Sequence, residues 1–468
     1  MTTEVKKKHS NIELIRGDPK KAINKLSVPM MASMLLIMAY NIADSVWVAG
    51  LGAEALAAIG FITPLFLIVI GLGNGIGSGA NSLMARAIGA KNKALVNNAA
   101  LHAIVITLII SIVAPLILVP LLPQIITLMG GGETLEYALA YGNITFGLMI
   151  VFLFSSVASA ILRAEGDVNR ATIAMAITAV LNIVLDPIFI YYLGMGIAGA
   201  GWATIISATI SCVVMIYWMW VKKDTYVDLH FSQFKPSKAV LFDILKVSIP
   251  STAEQFIMSL LAMVINAMLV MVATTDAVAV YTAGMRLIQI AMIPLMGLGT
   301  ALLTVGGAAY GARNYKKLNI SLNYTVKTGF IISIIMAIIF AIFAPQIALL
   351  FSYSAATAYL TPQIATLIRL FTLFLIFMPF GMSAACLFQG AGRGVNSLVI
   401  TLLRSLICES IFAYLFGFIF GMGEVGIYCG VIVGGFCGSM FGYAWSRIFL
   451  NKTKKLFEHH NSEKTVES

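Results

Sequence analysis

Four polar residues in the first half of the chain interrupt long apolar segments, and their oxygen atoms could bind a small cation. They are Asp44, Asn182, Asp186 and Thr204. Asn182 and Asp186 are four residues apart, which places both on one face of a helix. Two carboxylates, an amide and a hydroxyl could hold a sodium ion, or share a proton between the carboxylates. The alternative interpretation is a buried structural network, with Asp44 simply at the end of a helix.

Pro187 follows directly after Asp186 and should alter the helix that carries it. Proline has no backbone N–H, so the carbonyl of Ile183 loses its helical partner and a kink is expected. The freed carbonyl would add an oxygen to the same face. Tyr40 and Tyr141 are weaker candidates for lining this cavity, because either could be ordinary aromatic packing at a membrane interface.

The second half carries a different set of ionisable residues in its apolar segments: Glu254, Arg286, Arg369, Arg404 and Glu409. An ionisable side chain inside a membrane costs about 2.5–3.5 kcal/mol on insertion scales, so each one needs a partner or a function. Glu254 could face a central cleft and attract a cation, and Arg286 is a weaker candidate for the lining of that cleft. We expect Glu409 to form a structural ion pair with one of the arginines.

The composition excludes a soluble protein. Hydrophobic residues make up 60% of the chain and charged residues only 11%, whereas soluble domains carry about 25% charged residues. Membrane lipid is therefore the expected surrounding. The net charge of +10 does not indicate nucleic-acid binding, because Lys and Arg cluster in short loops and in the two tails.

No motif for catalysis or cofactor binding is found in the sequence. The five cysteines are scattered through apolar runs without the spacing of a disulfide framework or a zinc site. A phosphate-binding P-loop, an HExxH motif and a nucleophile elbow are all missing. We therefore predict neither an enzyme nor an ATP-driven transporter, and no cofactor.

Apolar runs long enough to cross a bilayer predict twelve helical spans. They cover residues 26–49, 56–86, 94–119, 135–161, 170–193, 196–221, 240–273, 278–310, 318–343, 359–388, 395–418 and 424–450. At about 1.5 Å per residue, Asp44, Asp186 and Thr204 then lie in one layer about 10 Å below the outer surface.

The distribution of positive charge predicts the orientation and the domain organisation. Lys and Arg occupy the loops after spans two, four, six, eight and ten, and the opposite loops contain neither. By the positive-inside rule, both termini are cytoplasmic and the protein lies in the plasma membrane. We predict a cytoplasmic tail (1–25), a six-helix lobe (26–221), a cytoplasmic linker (222–238), a second six-helix lobe (239–450) and a cytoplasmic tail (451–468).

Short motifs recur in the two halves at an offset of 221 to 227 residues, which indicates an internal duplication. Six spans is an even number, so both halves insert the same way up. They should be related by an axis along the membrane normal, with the substrate path at their interface. The pairs include Ser27-Val28-Pro29 with Ser248-Ile249-Pro250, Gly89-Ala90-Lys91-Asn92 with Gly311-Ala312-Arg313-Asn314, Val168-Asn169 with Val395-Asn396, and Gly194-Met195-Gly196 with Gly421-Met422-Gly423.

Two glycine patterns indicate structure rather than chemistry. Segments 194–199 and 421–426 fit the dinucleotide-binding fingerprint, but each joins two membrane spans, so tight turns are expected. Glycines at every fourth position favour close helix packing, which we expect within each half rather than in a dimer. These ladders are Gly71, Gly75 and Gly79, and Gly430, Gly434 and Gly438.

Several of these motifs together resemble the multidrug and toxic compound extrusion (MATE) transporters. The segments are Leu181-Asn182-Ile183-Val184-Leu185-Asp186-Pro187, Gly194 to Thr204, Arg163-Ala164-Glu165-Gly166-Asp167 and the loop Gly89-Ala90-Lys91-Asn92. The pattern is most similar to the prokaryotic branches that include MepA and DinF. The resemblance implies a V-shaped pair of six-helix lobes that exports amphipathic, usually cationic compounds against inward movement of protons or sodium ions. We expect the protein to act as a monomer.

The resemblance also implies site residues. The family's cation site in the first lobe falls on Asp44, Asn182, Asp186 and Thr204, and its acid in span seven would be Glu254. Some members also use an acid in span ten, where this chain has Arg369. That departure puts a sodium site of this kind in the second lobe in doubt.

Three other functions remain open from the sequence. A lipid-linked oligosaccharide flippase of the same superfamily should line its cleft with several basic residues, and only Arg286 and Arg369 are candidates here. A passive channel would need neither a duplication nor buried acids. A major facilitator would carry a basic loop after span two, which the loop at residues 89–93 does not match.

Overall fold

The computed structural model describes residues 11–272, 275–349 and 358–466, and every regular element in these ranges is helical. Eleven of the described helices are long and apolar enough to cross a membrane, and a helix pair bent by 46° passes the same test when the two are taken together as one span. The predicted all-helical fold with twelve spans is therefore confirmed.

The first six spans correspond to the helices Pro19–Ala49, Ala53–Gly89, Lys93–Leu128, the bent pair Leu135–Gly147 and Ile150–Ala164, Val168–Pro187 and Gly196–Ile216. The last six correspond to Lys238–Val272, Thr275–Gly311, Tyr315–Ile342, Thr361–Gly390, the mixed α- and π-helical segment Gly394–Ile419, and Gly423–Val466. Each predicted span overlaps one of them, and residue 273 lies outside the described ranges. The spans keep the numbers one to twelve below.

The duplication is visible in the backbone of the turns. Lys91 and Arg313, which pair in the repeat, both adopt left-handed conformations, with φ of 60° and 52°. The asparagine that follows each of them begins the next helix by accepting a hydrogen bond from a backbone N–H at 3.0 Å. Gly194 and Gly421 likewise share φ values of 65° and 67°. The segments that fit the dinucleotide fingerprint are thus tight turns between spans.

The chain divides into two compact units. The first comprises the residues up to 17 and residues 29–252, and the second comprises residues 18–28 and the chain from 253 onward. The division therefore falls inside spans one and seven, whereas the predicted lobes assign each of these spans to a single half. The whole predicted linker and the first part of span seven belong to the first unit.

Much of the predicted N-terminal tail is ordered helix. Residues 11–16 are helical, and Ile12 and Ile15 are buried. Arg16 donates a hydrogen bond from Nε to the carbonyl of Ile88 at 2.9 Å. Span one begins at Pro19, seven residues before its predicted start. Residues 1–10 of the tail lie outside the described ranges.

The glycine ladder of span twelve packs against span eleven within the second unit, as predicted. A Cβ at Gly430 would overlap the backbone of Ala413, and one at Gly434 would lie 2.5 Å from the Cα of Glu409. The helices therefore touch backbone to backbone. This contact needs glycine because any larger side chain would separate them.

For the ladder of span two, the prediction of packing within the first predicted lobe was wrong. A Cβ at Gly75 or Gly79 would overlap residues of span seven, where Ser248 and Thr252 present their hydroxyl groups. Thr252 also donates a hydrogen bond to the carbonyl of Gly71 at 3.4 Å. The small hydroxyl side chains let this part of span seven join the first unit.

The linker, which in the structure is residues 222–237 because span seven begins at Lys238, is part of the first unit and hydrogen-bonds to its spans. Side-chain acceptors at the start of span three and just after the end of span four receive its backbone N–H groups. Glu165 accepts from Val227 at 3.0 Å, and His102 accepts through Nε2 from Ser237 at 3.1 Å. Asn97 accepts from Asp228 at 3.1 Å, and Asn98 both accepts from and donates to the backbone of Lys235, at 3.3 and 3.0 Å.

Glu165 is the most deeply buried acid in this contact, with 3% of its surface exposed. Burial raises the pKa of its carboxyl to about 8, and the nearby Asp167 acts in the same direction. Hydrogen bonds from Val227 and Tyr226 and the charge of Arg170 oppose the shift. Arg170 itself pairs with Asp224 of the linker.

We expect binding of the linker to weaken as the pH rises, through Glu165. The folded-state pKa of about 8 exceeds the ordinary value of 4.5, so the contribution of Glu165 is complete below that value and is lost as the pH rises through 8. Replacement Glu165→Gln should remove this dependence. The measurement is the rate of hydrogen exchange at Val227 in wild type relative to the variant, from pH 6 to pH 9; a constant ratio would contradict the prediction.

Candidate cation site

Asn182 joins spans five and six at the centre of the predicted cluster. Asn182 and Asp186 are fully buried, and Thr204 of span six is 6% exposed. The Nδ2 group of Asn182 donates to Asp186 Oδ1 and to Thr204 Oγ1, each at 3.2 Å. Thr204 uses its own hydroxyl proton to donate to the carbonyl of Ala200 at 2.9 Å. The amide of Asn182 therefore supplies donors to both neighbours and directs its oxygen elsewhere.

Three oxygen atoms of the cluster are buried without a hydrogen-bond partner among the described residues. They are Asn182 Oδ1, Asp186 Oδ2 and Asp44 Oδ1. Buried acceptors are nearly always satisfied in proteins, and an unsatisfied one costs about 1–3 kcal/mol, or more when it is charged. An oxygen set of this kind, with no donor among the described residues, is suited to a cation or a proton.

Asp44 of span one and two tyrosines complete the surroundings. Asp44 is half-buried, and its charge interacts with that of Asp186. Tyr141 of span four is buried and lies near Thr204 and both carboxylates, while Tyr40 lies near Asp44 and Tyr141. The structure thus brings together all six residues that the sequence grouped in the first half.

Pro187 ends the α-helix of span five one residue after Asp186. The chain continues as a π-helix, Ile188–Tyr192, in which hydrogen bonds run five residues back. The N–H of Leu193 accordingly donates to Ile188 O at 2.8 Å. In place of the expected simple kink, Pro187 is followed by a widened helical turn that begins two residues after Asp186.

Two contacts that sequence reasoning missed hold span one beside span five, one on each side of the carboxylates. In the first half of both spans, the hydroxyls of Ser33 and Thr172 lie 2.8 Å apart, and Thr172 donates to the carbonyl of Pro29. Near the end of both spans, the hydroxyl of Tyr191 donates to the carbonyl of Trp47, and their rings meet edge to face. The sequence offered one signal for these contacts, the aromatic residue Tyr191 four positions after Pro187.

Glu254 lies in the second unit, where it contacts span ten. Its carboxylate accepts from Gln389 Nε2 at 3.1 and 3.4 Å, and the same nitrogen lies 3.1 Å from Ser397 Oγ. Arg286, the weaker lining candidate, is exposed, and so is Arg369.

The predicted ion pair between Glu409 and an arginine is not formed among the described residues. Glu409 and Arg404 are both buried, but no nitrogen of an arginine lies within 4 Å of a Glu409 oxygen. The reason is the helical geometry of span eleven, where Arg404 directs its guanidinium to Ser405 and Met378. Arg286 and Arg369 lie on exposed faces of their helices.

Comparison with known proteins gives matches along most of the chain. The MatE family model matches residues 29–188 and 250–415, one stretch in each half. The multidrug export protein MepA of Staphylococcus saprophyticus is 25% identical over 389 residues, which cover 83% of this chain and 85% of that relative. MepA of Staphylococcus haemolyticus is 27% identical over 389 residues and covers 81% and 84%.

Solved structures match the fold closely. The crystal structure of a MATE protein in complex with MaL6 superimposes with a TM-score of 0.93 at 38% identity, and covers 95% of this chain and 99% of that one. A MOP superfamily transporter from Pyrococcus furiosus, for which a reversed polarity of the binding pocket suggests a different function, superimposes with a TM-score of 0.92 at 39% identity, covering 95% and 98%.

Proposed function

Because the chain belongs to the multidrug and toxic compound extrusion (MATE) family, we propose that it exports amphipathic, cationic compounds in exchange for protons or sodium ions. Family membership and the multi-pass membrane location agree with the sequence predictions. Members of this family are transporters rather than enzymes. The proposal includes a monomer in the plasma membrane with both termini in the cytoplasm, supported by the positive charge of the linker side.

One observation carries the proposal: the three unpartnered oxygens of Asp44, Asn182 and Asp186. A cation bound there would satisfy acceptors that the protein leaves open and would reduce repulsion between two carboxylates. A proton shared between Asp44 and Asp186 would do the same for those two groups. A sodium ion would also use neutral oxygens, which Asn182, Thr204 and Tyr141 can supply.

The position of the site couples cation binding to helix shape. Spans one and five are held together on both sides of the carboxylates, by Ser33 with Thr172 and by Trp47 with Tyr191. A cation bound between Asp44 and Asp186 would therefore lie between the two contacts that hold spans one and five together. The π-helix after Pro187 lets the outer part of span five change its bend. Loading then favours one helix shape over another, and a cationic substrate competes for the same charges.

The test is dye efflux from proteoliposomes of known orientation, under an imposed proton gradient or an imposed sodium gradient. A cationic amphipathic dye should leave against its gradient when one of the two ions runs in, and a matched anionic dye should not. The gradient that drives efflux names the coupling ion. Dissipating that gradient with an ionophore should return efflux to the level of empty liposomes.

Lack of response to both gradients would overturn the antiport proposal. Lipid-linked oligosaccharides would then be assayed as the flippase substrate. Ion flux that needs no counter-transported dye would instead indicate a channel.

A further inference from the structure

We propose that Glu409 is a second proton-binding carboxylate of the transport cycle, located in the second unit. The inference rests on the proposed function, because it assigns a further coupling site to the same exchange. Glu409 is not part of the cluster around Asp44, Asn182 and Asp186, because that cluster lies in the first unit.

The internal repeat places Glu409 at the position of Asn182. An offset of 227 residues pairs Asn169 with Asn396 before this point and Gly194 with Gly421 after it, and the same offset pairs Asn182 with Glu409. The backbone keeps this register, because the π-helix Leu415–Ile419 lies 227 residues after the π-helix Ile188–Tyr192. The second unit thus has an acid where the first has the central residue of its cation cluster.

Glu409 is buried without a hydrogen-bond donor or a direct ion pair among the described residues. It is 2% exposed, and no described residue donates a hydrogen bond to it. Arg404, 6% exposed, interacts with it electrostatically but donates instead to Ser405 Oγ at 3.3 Å and to Met378 Sδ at 3.7 Å. A buried carboxylate in contact with neither a donor nor a counter-ion is unfavourable, and a bound proton removes its charge.

The helix at this point has an uncommon form. Residues Leu402–Glu409 make one continuous π-helix, whereas π-helices are usually single turns and are frequent at functional sites. The widened turn moves Arg404 and Glu409, five residues apart, toward the same side of span eleven. The glycines of span twelve allow that side to lie directly against the neighbouring backbone, with Gly434 at Glu409 and Gly438 at Arg404.

The groups around Glu409 fit a proton better than a metal ion. Phe374 of span ten and Gly435 of span twelve lie beside Glu409. The ring of Phe374 and the Oε1 atom of Glu409 both lie against Gly435. Tyr281 of span eight interacts with it and stacks on Tyr428 of span twelve. A sodium ion needs several oxygen ligands, which these surfaces do not provide.

Few charged or titratable groups surround Glu409 among the described residues, and they determine what a change in its protonation would do. Besides Tyr281 and Tyr428, they are Arg404 and Cys408 on span eleven and Cys437 on span twelve, which lies near Cys408. Arg404 would repel a metal cation. When Glu409 loses its proton, the carboxylate attracts Arg404 across the π-helical turn, and when it gains one the attraction ends. Proton exchange would therefore change the preferred shape of span eleven.

The first experiment is infrared difference spectroscopy of the purified full-length protein during a pH change, which reports the carbonyl stretch of protonated carboxylic acids. Wild type should show a band that Glu409→Gln lacks and that Glu424→Gln, a control acid at the outer end of span twelve, retains. The readout needs no transport, so it separates failure of this inference from failure of the antiport proposal. An unchanged band in Glu409→Gln would overturn the inference.

The second experiment counts protons exchanged per dye in proteoliposomes. Glu409→Gln should lower the count by about one, whereas Glu409→Asp, which keeps a titratable group, should retain it with a shifted pH midpoint. If Glu409 only balances the charge of Arg404, the double variant Arg404→Met with Glu409→Gln should recover the wild-type count, and that result would also overturn the inference. Should Glu409→Gln fail to fold, Glu409→Asp and the double variant still decide the question.

Discussion

Replacement Asp186→Asn is expected to reduce gradient-driven efflux by at least about 100-fold, because it removes one charged ligand from a buried site whose other acceptors remain. Asn182 Nδ2 already donates to Asp186 Oδ1 at 3.2 Å. The new amide would bring a second set of donors and no negative charge. With only Asp44 charged, there would be no repulsion between two carboxylates for a bound cation to reduce, so cation binding would be weaker. The measurement is the initial rate of dye efflux under the gradient that drives wild type.

The matched control is Glu136→Gln, which neutralises an exposed acid in the first turn of span four. It should transport at the wild-type rate. Both proteins must be reconstituted to equal density, since Asp186 is buried and its loss could lower expression. Wild-type efflux from well-folded Asp186→Asn would show that the cation binds elsewhere.

The second large effect concerns stability. Gly430→Ala should destabilise the second unit by about 3 kcal/mol, at the upper end of the cost of overpacking a close contact. The added Cβ would overlap the backbone N and Cα of Ala413, and a backbone cannot rotate away as a flexible side chain can. Spans eleven and twelve would have to separate, and the π-helical segments on either side of Ala413 would shift with them.

The control for this substitution is Gly60→Ala in span two, where a Cβ would meet no atom within 4 Å. Alanine also favours helix over glycine by about 1 kcal/mol, so this variant should be as stable as wild type or slightly more stable. The comparison uses the thermal unfolding midpoint in detergent. Equal midpoints for the two variants would mean that the contact with span eleven is loose enough to adjust.

Hydropathy and loop charge were sufficient to predict the twelve spans, because a bilayer imposes length and polarity on every segment that crosses it. The grouping of Asp44, Asp186 and Thr204 followed from depth, since residues in one layer of adjacent helices can meet, and Asn182 joined them through its four-residue spacing from Asp186. Hydrogen bonding within the cluster confirms the proximity of three of them.

Sequence reasoning failed where backbone geometry decides the outcome. The π-helix Leu402–Glu409 has no sequence signature comparable to a proline, and within it Arg404 donates to Ser405 and Met378 rather than to Glu409. The association of span seven with the first unit depends on Ser248 and Thr252 fitting against glycines far away in the chain. Neither feature follows from the pattern of any single segment.

Because the linker is held by hydrogen bonds within the first unit, a probe attached to it would report on the position of that unit. Its backbone is held by Glu165, Asn97, Asn98 and His102 from residue 227 to residue 237. A spin label or fluorophore at the exposed Phe231 would thus be an immobile marker of the first unit rather than of a free tether. For the same reason, a chain divided for co-expression as two fragments should be cut after the linker, so that these acceptors keep their backbone partners.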